Sequence, residues 1–172
     1  MIKLKSLVSE TMTDAYKYKH TFKTELISKE DEETGEEYQQ EVFSPVQIVK
    51  FKTDAGIPYI WYAKQNRYDD TMWEIAFGVD KGVNARGANE LDINVTNTGD
   101  AFKIFATVID ITNSFIQQDE NYEIQRLLVK SKGKNRTNLY LKRILPRIEY
   151  FEVDHVYSAG GDETEIILVK NQ

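Results

Sequence analysis

The stretch DINVTNTGDAFKIFATVIDITNSFIQ, Asp92–Gln117, constrains this chain more than any other part of it. Ala101, Phe102, Phe105, Val108, Ile109, Thr112, Phe115 and Ile116 recur at the i, i+3, i+4, i+7 spacing of one helical face. Ile104 and Ile111 add a second apolar patch, while Lys103, Asp110, Asn113 and Gln117 take the polar positions. A helix this apolar must be mostly buried, lying across a sheet; at roughly 18 residues it would be about 27 Å long. Thr98 is a good N-cap, because its hydroxyl can accept from a free N–H of the first turn. Gly99 permits a tight turn, and Asp100 sets a carboxylate against the positive helix end. Upstream, Leu91, Ile93 and Val95 alternate with Asp92, Asn94 and Thr96, which is the period of a strand. Strand, glycine turn and buried helix make a general phosphate-binding arrangement, because unsatisfied N–H groups point out of the helix start. The same residues also serve simply as a turn and a capped helix.

With 172 residues, a single domain is the default, and 41% hydrophobic residues suffice for a packed core. The net charge of −6 argues against duplex DNA or an anionic membrane as partner, since both attract clustered Lys and Arg. No nucleic-acid and no membrane partner is therefore expected. The absence of cysteine excludes disulfides and thiolate zinc sites, and His20 and His155 lie far apart, so no metal site is expected. No apolar run approaches the ~20 residues of a transmembrane span, and the first residues lack a signal peptide's apolar core. An intracellular protein is the expectation.

Residues 1–45 read as an N-terminal segment with an acidic loop, and 46–172 as the main domain, the two forming one compact unit. Tyr16, Tyr18, His20 and Phe22 alternate with Lys17, Lys19, Thr21 and Lys23, which predicts a strand near 15–27. The acidic run Lys29–Glu41, around Gly35, suits a solvated hairpin tip or mobile loop, or else a docking segment for a basic partner. Val46, Ile48 and Phe51 mark a strand, Asp54-Ala55-Gly56 a turn, Ile57–Ala63 a second strand, Asn66–Asp70 another turn, and Met72–Val79 a third strand. Short connections make these an antiparallel meander. Lys81–Asn89 reads as a glycine-bearing loop, and Glu90–Thr96 as the strand feeding the central helix. Beyond that helix, Ile124–Val129 has the continuous apolar end of an interior parallel strand. Asn135–Leu145 is a second helix ended by Pro146, and Tyr150–Tyr157 with Glu163–Val169 is a hairpin turning at Ser158–Asp162. The predicted class is α+β: a mixed, mainly antiparallel sheet with a buried central helix and a second helix. The strand–helix–strand crossover should be right-handed.

Over about residues 46–170 this order of elements resembles the core of the acetyl-CoA-dependent N-acetyltransferase (GNAT) superfamily. That superfamily's pyrophosphate turn reads Gln/Arg-x-x-Gly-x-Gly/Ala; here Thr96–Ala101 keeps Gly99 and Ala101 without the leading Gln/Arg. Asn135, Asn138 and Leu139-Tyr140 resemble the following helix, and Tyr150-Phe151 the Gly-Phe that opens the next strand. The two N-terminal helices of the superfamily have no counterpart in 1–45. The stretches TGDAFKIFATVIDITNSFI and NRTNLYLKRI are also similar to a set of uncharacterised bacteriophage proteins, which implies a phage origin and a place in the host cytoplasm or the virion.

The resemblance implies a GNAT-like fold and, in an enzyme, acetyl-CoA as cofactor. Thr98, Gly99, Asp100 and Ala101 would then cradle the pyrophosphate, with Lys134 and Arg136, beside Lys132, on the other phosphate. Tyr140 would protonate the departing thiolate, and Glu90 or Asp92 would act as base. Asp100 opposes this chemistry. Two like charges about 4 Å apart at an effective dielectric of about 20 repel by about 4 kcal/mol, which is roughly three decades of affinity. The expectation is therefore a phage-encoded, GNAT-like protein with no cofactor and a non-catalytic binding or structural role. A protein partner or a second copy would be its ligand; an acyl-CoA-dependent N-acyltransferase is the alternative. Aromatic density in Tyr59–Tyr62 and Met72-Trp73 motivates an interface, although Trp61 and Trp73 are read as core residues before contact residues. An acidic mimic of nucleic acid, resting on the 29–41 run, is a third possibility.

Overall fold

A computed structural model describes residues 15–30, 37–83, 89–92, 101–117 and 123–171. The described strands are β1 (Lys19–Glu30), β2 (Glu37–Lys52), β3 (Pro58–Gln65), β4 (Met72–Val83), β5 (Asn89–Asp92), β6 (Arg126–Lys132), β7 (Phe151–Gly160) and β8 (Glu163–Lys170). Helix α1 spans Ala101–Ile116; α2 spans Lys134–Leu139 and runs on into a π turn, Tyr140–Ile144, and a 3-10 turn, Leu145–Arg147. All the strands join one sheet in the order β1-β2-β3-β4-β6-β8-β7, with β5 added on β4. Every pairing is antiparallel except that of β4 with β6. The class is α+β.

The meander follows from its turns. Gly56 supplies φ 79 and donates its N–H to the Thr53 carbonyl at 2.8 Å, closing the β2–β3 turn. Between β3 and β4, Asn66 Oδ1 accepts from the Tyr68 N–H at 2.8 Å. Asp69 Oδ1 accepts from both the N–H and the hydroxyl of Thr71, at 3.1 and 2.6 Å. Thr71 first, and Arg126 beside it, hold the Asp69 carboxyl below the usual carboxylate range. β1 and β2 pair from Lys19 opposite Lys50 to Glu30 opposite Glu37, so both flanks of the acidic run are strand; 31–36 lie outside the described residues. β2 continues unbroken across position 45.

Strand alternation sends Val49, Trp61, Phe77 and their neighbours to one face of the sheet, in cross-strand register, and α1 lies over that face. The buried row of α1 is Ile104, Val108, Ile111 and Phe115, flanked by Phe105, Thr112 and Ile116. Two expectations change here. Ile104 and Ile111, read as a second patch, sit at the centre of the core, 2% and 0% exposed. Phe102, read as part of the buried face, is 46% exposed, because it lies about 200° around the helix from Ile104 at about 100° per residue.

In the aromatic run that motivates an interface, Trp61 and Trp73 are core, as first expected of them. Trp61 and Trp73 are both fully buried. The Phe115 ring meets them edge-on, with centroids 5.6 and 5.1 Å away. Trp61 Nε1 donates to Thr112 Oγ1 at 3.1 Å, and that hydroxyl donates to the Val108 carbonyl at 2.7 Å. The other face of β3 also carries buried residues: Ile60 packs there with Val46, Ile48 and Tyr62.

Candidate functional site

The candidate site forms where the parallel pair comes apart. β4 and β6 are paired only over Met72–Ile75 and Arg126–Val129. Further along, β4 pairs instead with β5, Val79 opposite Asp92 and Val83 opposite Asn89. The strand placed by its alternation before the central helix is thus β5, antiparallel to β4, and the parallel partner of β6 is β4 itself. Alternation identifies a strand without saying which edge it will join.

A gap of about 40 Å³ opens past Ile75 and Val129. Ile75, Ala76 and Phe77 on β4 and Val129 and Lys130 on β6 all line it. Most of the lining, Ile75, Phe77, Leu127, Val129 and Leu168 among it, belongs to the core face under α1, with Ala76 and Lys130 at the parting strand edges. The gap opens at the carboxyl ends of the parallel strands, where open α/β sheets receive ligands. Val108 and Thr112 of α1 close one side, and Tyr140, Ile144 and Leu145 close another.

The π turn aims the tyrosine there. Leu145 donates its N–H to the Tyr140 carbonyl, five residues back. This widens the turn, a distortion frequent at functional sites, and leaves Tyr140 and Ile144 both buried. Pro146 follows with no N–H to give, so the chain tightens into its last turn and stops. The expected single helix over Asn135–Leu145 is therefore three consecutive helical forms. The Tyr140 ring stacks on Phe77 at 5.6 Å. Burial pushes the Tyr140 hydroxyl up to about 12, with the Arg136 charge pulling the other way. Arg136 lines the gap one turn before Tyr140, and none of the described lining residues is a carboxylate.

Gly133 sets the start of α2. Its φ of 84 is open to glycine, and its N–H donates to the Asp162 carbonyl at 2.9 Å. The Gly133 carbonyl accepts from Thr137, through N–H at 3.1 Å and hydroxyl at 3.2 Å. Lys134, Thr137 and Asn138 then face a separate polar groove of about 240 Å³ against Ser158, Asp162 and Thr164.

Arg136 and Tyr140 meet at the gap, whereas Lys134 lines the polar groove on another side of the same helix. Lys132 ends β6 opposite Glu163. Ala101 opens α1, while Thr98, Gly99 and Asp100 lie outside the described residues. Glu90 and Asp92 fall within β5. The gap also uses Ile75, Phe77 and Ile144, which sequence reasoning did not single out. For Ile75 and Phe77 the signal was the apolar run of β4, Ile75–Val79. Among the described residues, no helix is long and apolar enough to cross a membrane, and no cluster of His, Asp and Glu is placed to hold a metal ion. No protein-family model matches the sequence, and no curated protein matches it.

Proposed function

We propose that this is a phage-encoded protein on a GNAT-like core that acts by binding a protein partner or a second copy of itself, without acyl transfer. The observation that carries this reading is the closed gap. At about 40 Å³ it has room for a few waters, against the roughly 300–1,000 Å³ of a typical ligand site. The described residues do not fit a thioester cofactor as they stand: Phe77 and Tyr140 fill the space by stacking, and the lining supplies no carboxylate to act as base. The GNAT-like part of the reading is supported by the element order: meander, helix, strand, helix, hairpin, with its one parallel pair on either side of a helical crossover. The phage part rests on the wording of residues 98–116 and 135–144. Titration with acetyl-CoA, read by thermal shift, is the test. A ligand at about 100 times its dissociation constant stabilises by about 2.7 kcal/mol, so an unchanged melting temperature at millimolar cofactor is expected. Saturable micromolar binding would overturn the proposal.

A second reading, an acyl-CoA-dependent N-acyltransferase, is favoured by Tyr140. Its hydroxyl-bearing side chain lines the gap at the carboxyl end of the parallel pair, the place from which a proton donor would reach a leaving thiolate. This reading expects acetyl-CoA to bind, and Tyr140→Phe to keep binding while losing transfer.

A further inference from the structure

β7 closes one end of the sheet, and Glu152–Gly160 along it are all exposed. Its apolar side chains are presented on both faces. Val153 and Val156, opposite Leu168 and Ile166, stand on the core side at 39% and 46% exposure; Tyr157, opposite Glu165, stands on the other at 41%. A strand edge with a free row of N–H and C=O groups is a template for another strand. Natural edges are guarded by charges and bulges, and this one has both: register shifts between Val153 and His155 and between Ser158 and Gly160, and the carboxylates of Glu152 and Asp154. The guard has a single sign. From Phe151 to Val169 the hairpin carries Glu152, Asp154, Asp162, Glu163 and Glu165 and no Lys or Arg. It repels acidic strands, another β7 included, and admits basic ones.

The opposite end of the same sheet is β1. The sequence entering and opening it, residues 15–24, carries Lys17, Lys19 and Lys23 and no acid, and this basic half is the part that meets β7; the rest of β1 adds Glu25, Lys29 and Glu30. β1 has 12 residues and β7 has 10, so each matches the other in length. We propose that β7 receives the β1 edge of a second copy of this chain, continuing the sheet head to tail. Joining two different edges is a heterologous contact, which propagates or closes into a ring and does not stop at a symmetric dimer. This names the partner for the binding role proposed above and rests on that role, though not on anything held in the gap between β4 and β6.

The test is sedimentation of the full chain over a wide range of concentration at low ionic strength. Mass should grow beyond dimer with concentration, and association should weaken at least about tenfold at high salt, where exposed charges are screened. The variant Glu152→Lys/Asp154→Lys, and separately Lys17→Glu/Lys19→Glu/Lys23→Glu, should each lose association at least about tenfold. Mixing the two variants should restore assembly beyond dimer with the two alternating, because the basic β7 then meets the acidic β1 and the unchanged β7 meets the unchanged β1; circular dichroism confirms that each is folded. A protein that stays monomeric throughout overturns the proposal. So does a dimer disrupted by the β7 changes and untouched by the lysine changes, which would mean β7 pairing with itself. Acetyl-CoA binding bears on the gap and sedimentation on the edges, so either idea can fail without the other.

Discussion

Replacing Phe115 with alanine tests the packing at the centre of the molecule, and Phe102→Ala is its internal control. Both residues sit on α1, and sequence periodicity alone assigns both to the buried face. Phe115 is fully buried between Trp61 and Trp73, whereas Phe102 is 46% exposed. Emptying a core phenylalanine site costs about 3–5 kcal/mol, and two edge-to-face contacts of about 0.5–1.5 kcal/mol each place Phe115 at the upper end of that range. Phe102→Ala should cost within about 1 kcal/mol. At about 2–4 °C per kcal/mol for a chain of this size, the melting temperature falls by roughly 10–20 °C in one case and by less than about 4 °C in the other. Urea melts followed by far-UV circular dichroism give the free energies, with an unchanged denaturant slope showing that the folded state is intact. Total stabilities run to about 5–15 kcal/mol. If Phe115→Ala leaves no folded protein, Phe115→Leu, which keeps most of the volume, should still cost more than Phe102→Ala. Equal costs at the two positions would refute the orientation assigned to α1.

Thr112→Val keeps the shape of the side chain and strands the fully buried Trp61 Nε1 without its acceptor; equilibrium unfolding should show a loss of about 1–3 kcal/mol. Gly133→Ala meets no neighbour, yet its φ of 84 strains any residue with a Cβ; a loss of about 1–3 kcal/mol is expected in the same assay. Tyr140 tests the alkaline limb. Burial raises its folded pKa to about 12, above the ordinary tyrosine value of about 10, so its stabilisation is complete below pH ~10 and is lost as pH rises through ~12. Over that window the wild type should lose about 2–3 kcal/mol more than Tyr140→Phe; parallel losses in the two proteins would show that Tyr140 titrates normally.

The strands were legible because their period is unmistakable once turns such as Asp54–Gly56 and Asn66–Asp70 punctuate them. The central helix was legible as a helix but not in its phase. Its apolar residues are so dense that several faces satisfy the i, i+3, i+4 rule, and only the sheet beneath selects the row of Ile104, Val108, Ile111 and Phe115. Trp61 and Trp73 were legible as core first and contact residues second, and both are buried; the burial of Ile60 on the other face of β3 is set by packing beyond the strand's own pattern. The π turn at Tyr140 depends on how Leu145 and Pro146 finish the helix against β7 and lies beyond local propensity. At the site, the i, i+4 spacing of Arg136 and Tyr140 carried through to a shared wall, and the same geometry separates Lys134 from them. Phe77 could not be named in advance, because its place depends on β4 dividing one edge between two partners.

That division has a mechanical consequence. The last three strands of the sheet join the first five through four rungs, Met72–Ile75 with Arg126–Val129. The seam is clasped by the Arg126–Asp69 ion pair at one end and bridged by Lys130 to Glu74, at 3.3 Å, at the other. A chain pulled from its two ends should tear there first, leaving the five strands β1–β5 on one side and a three-stranded fragment on the other.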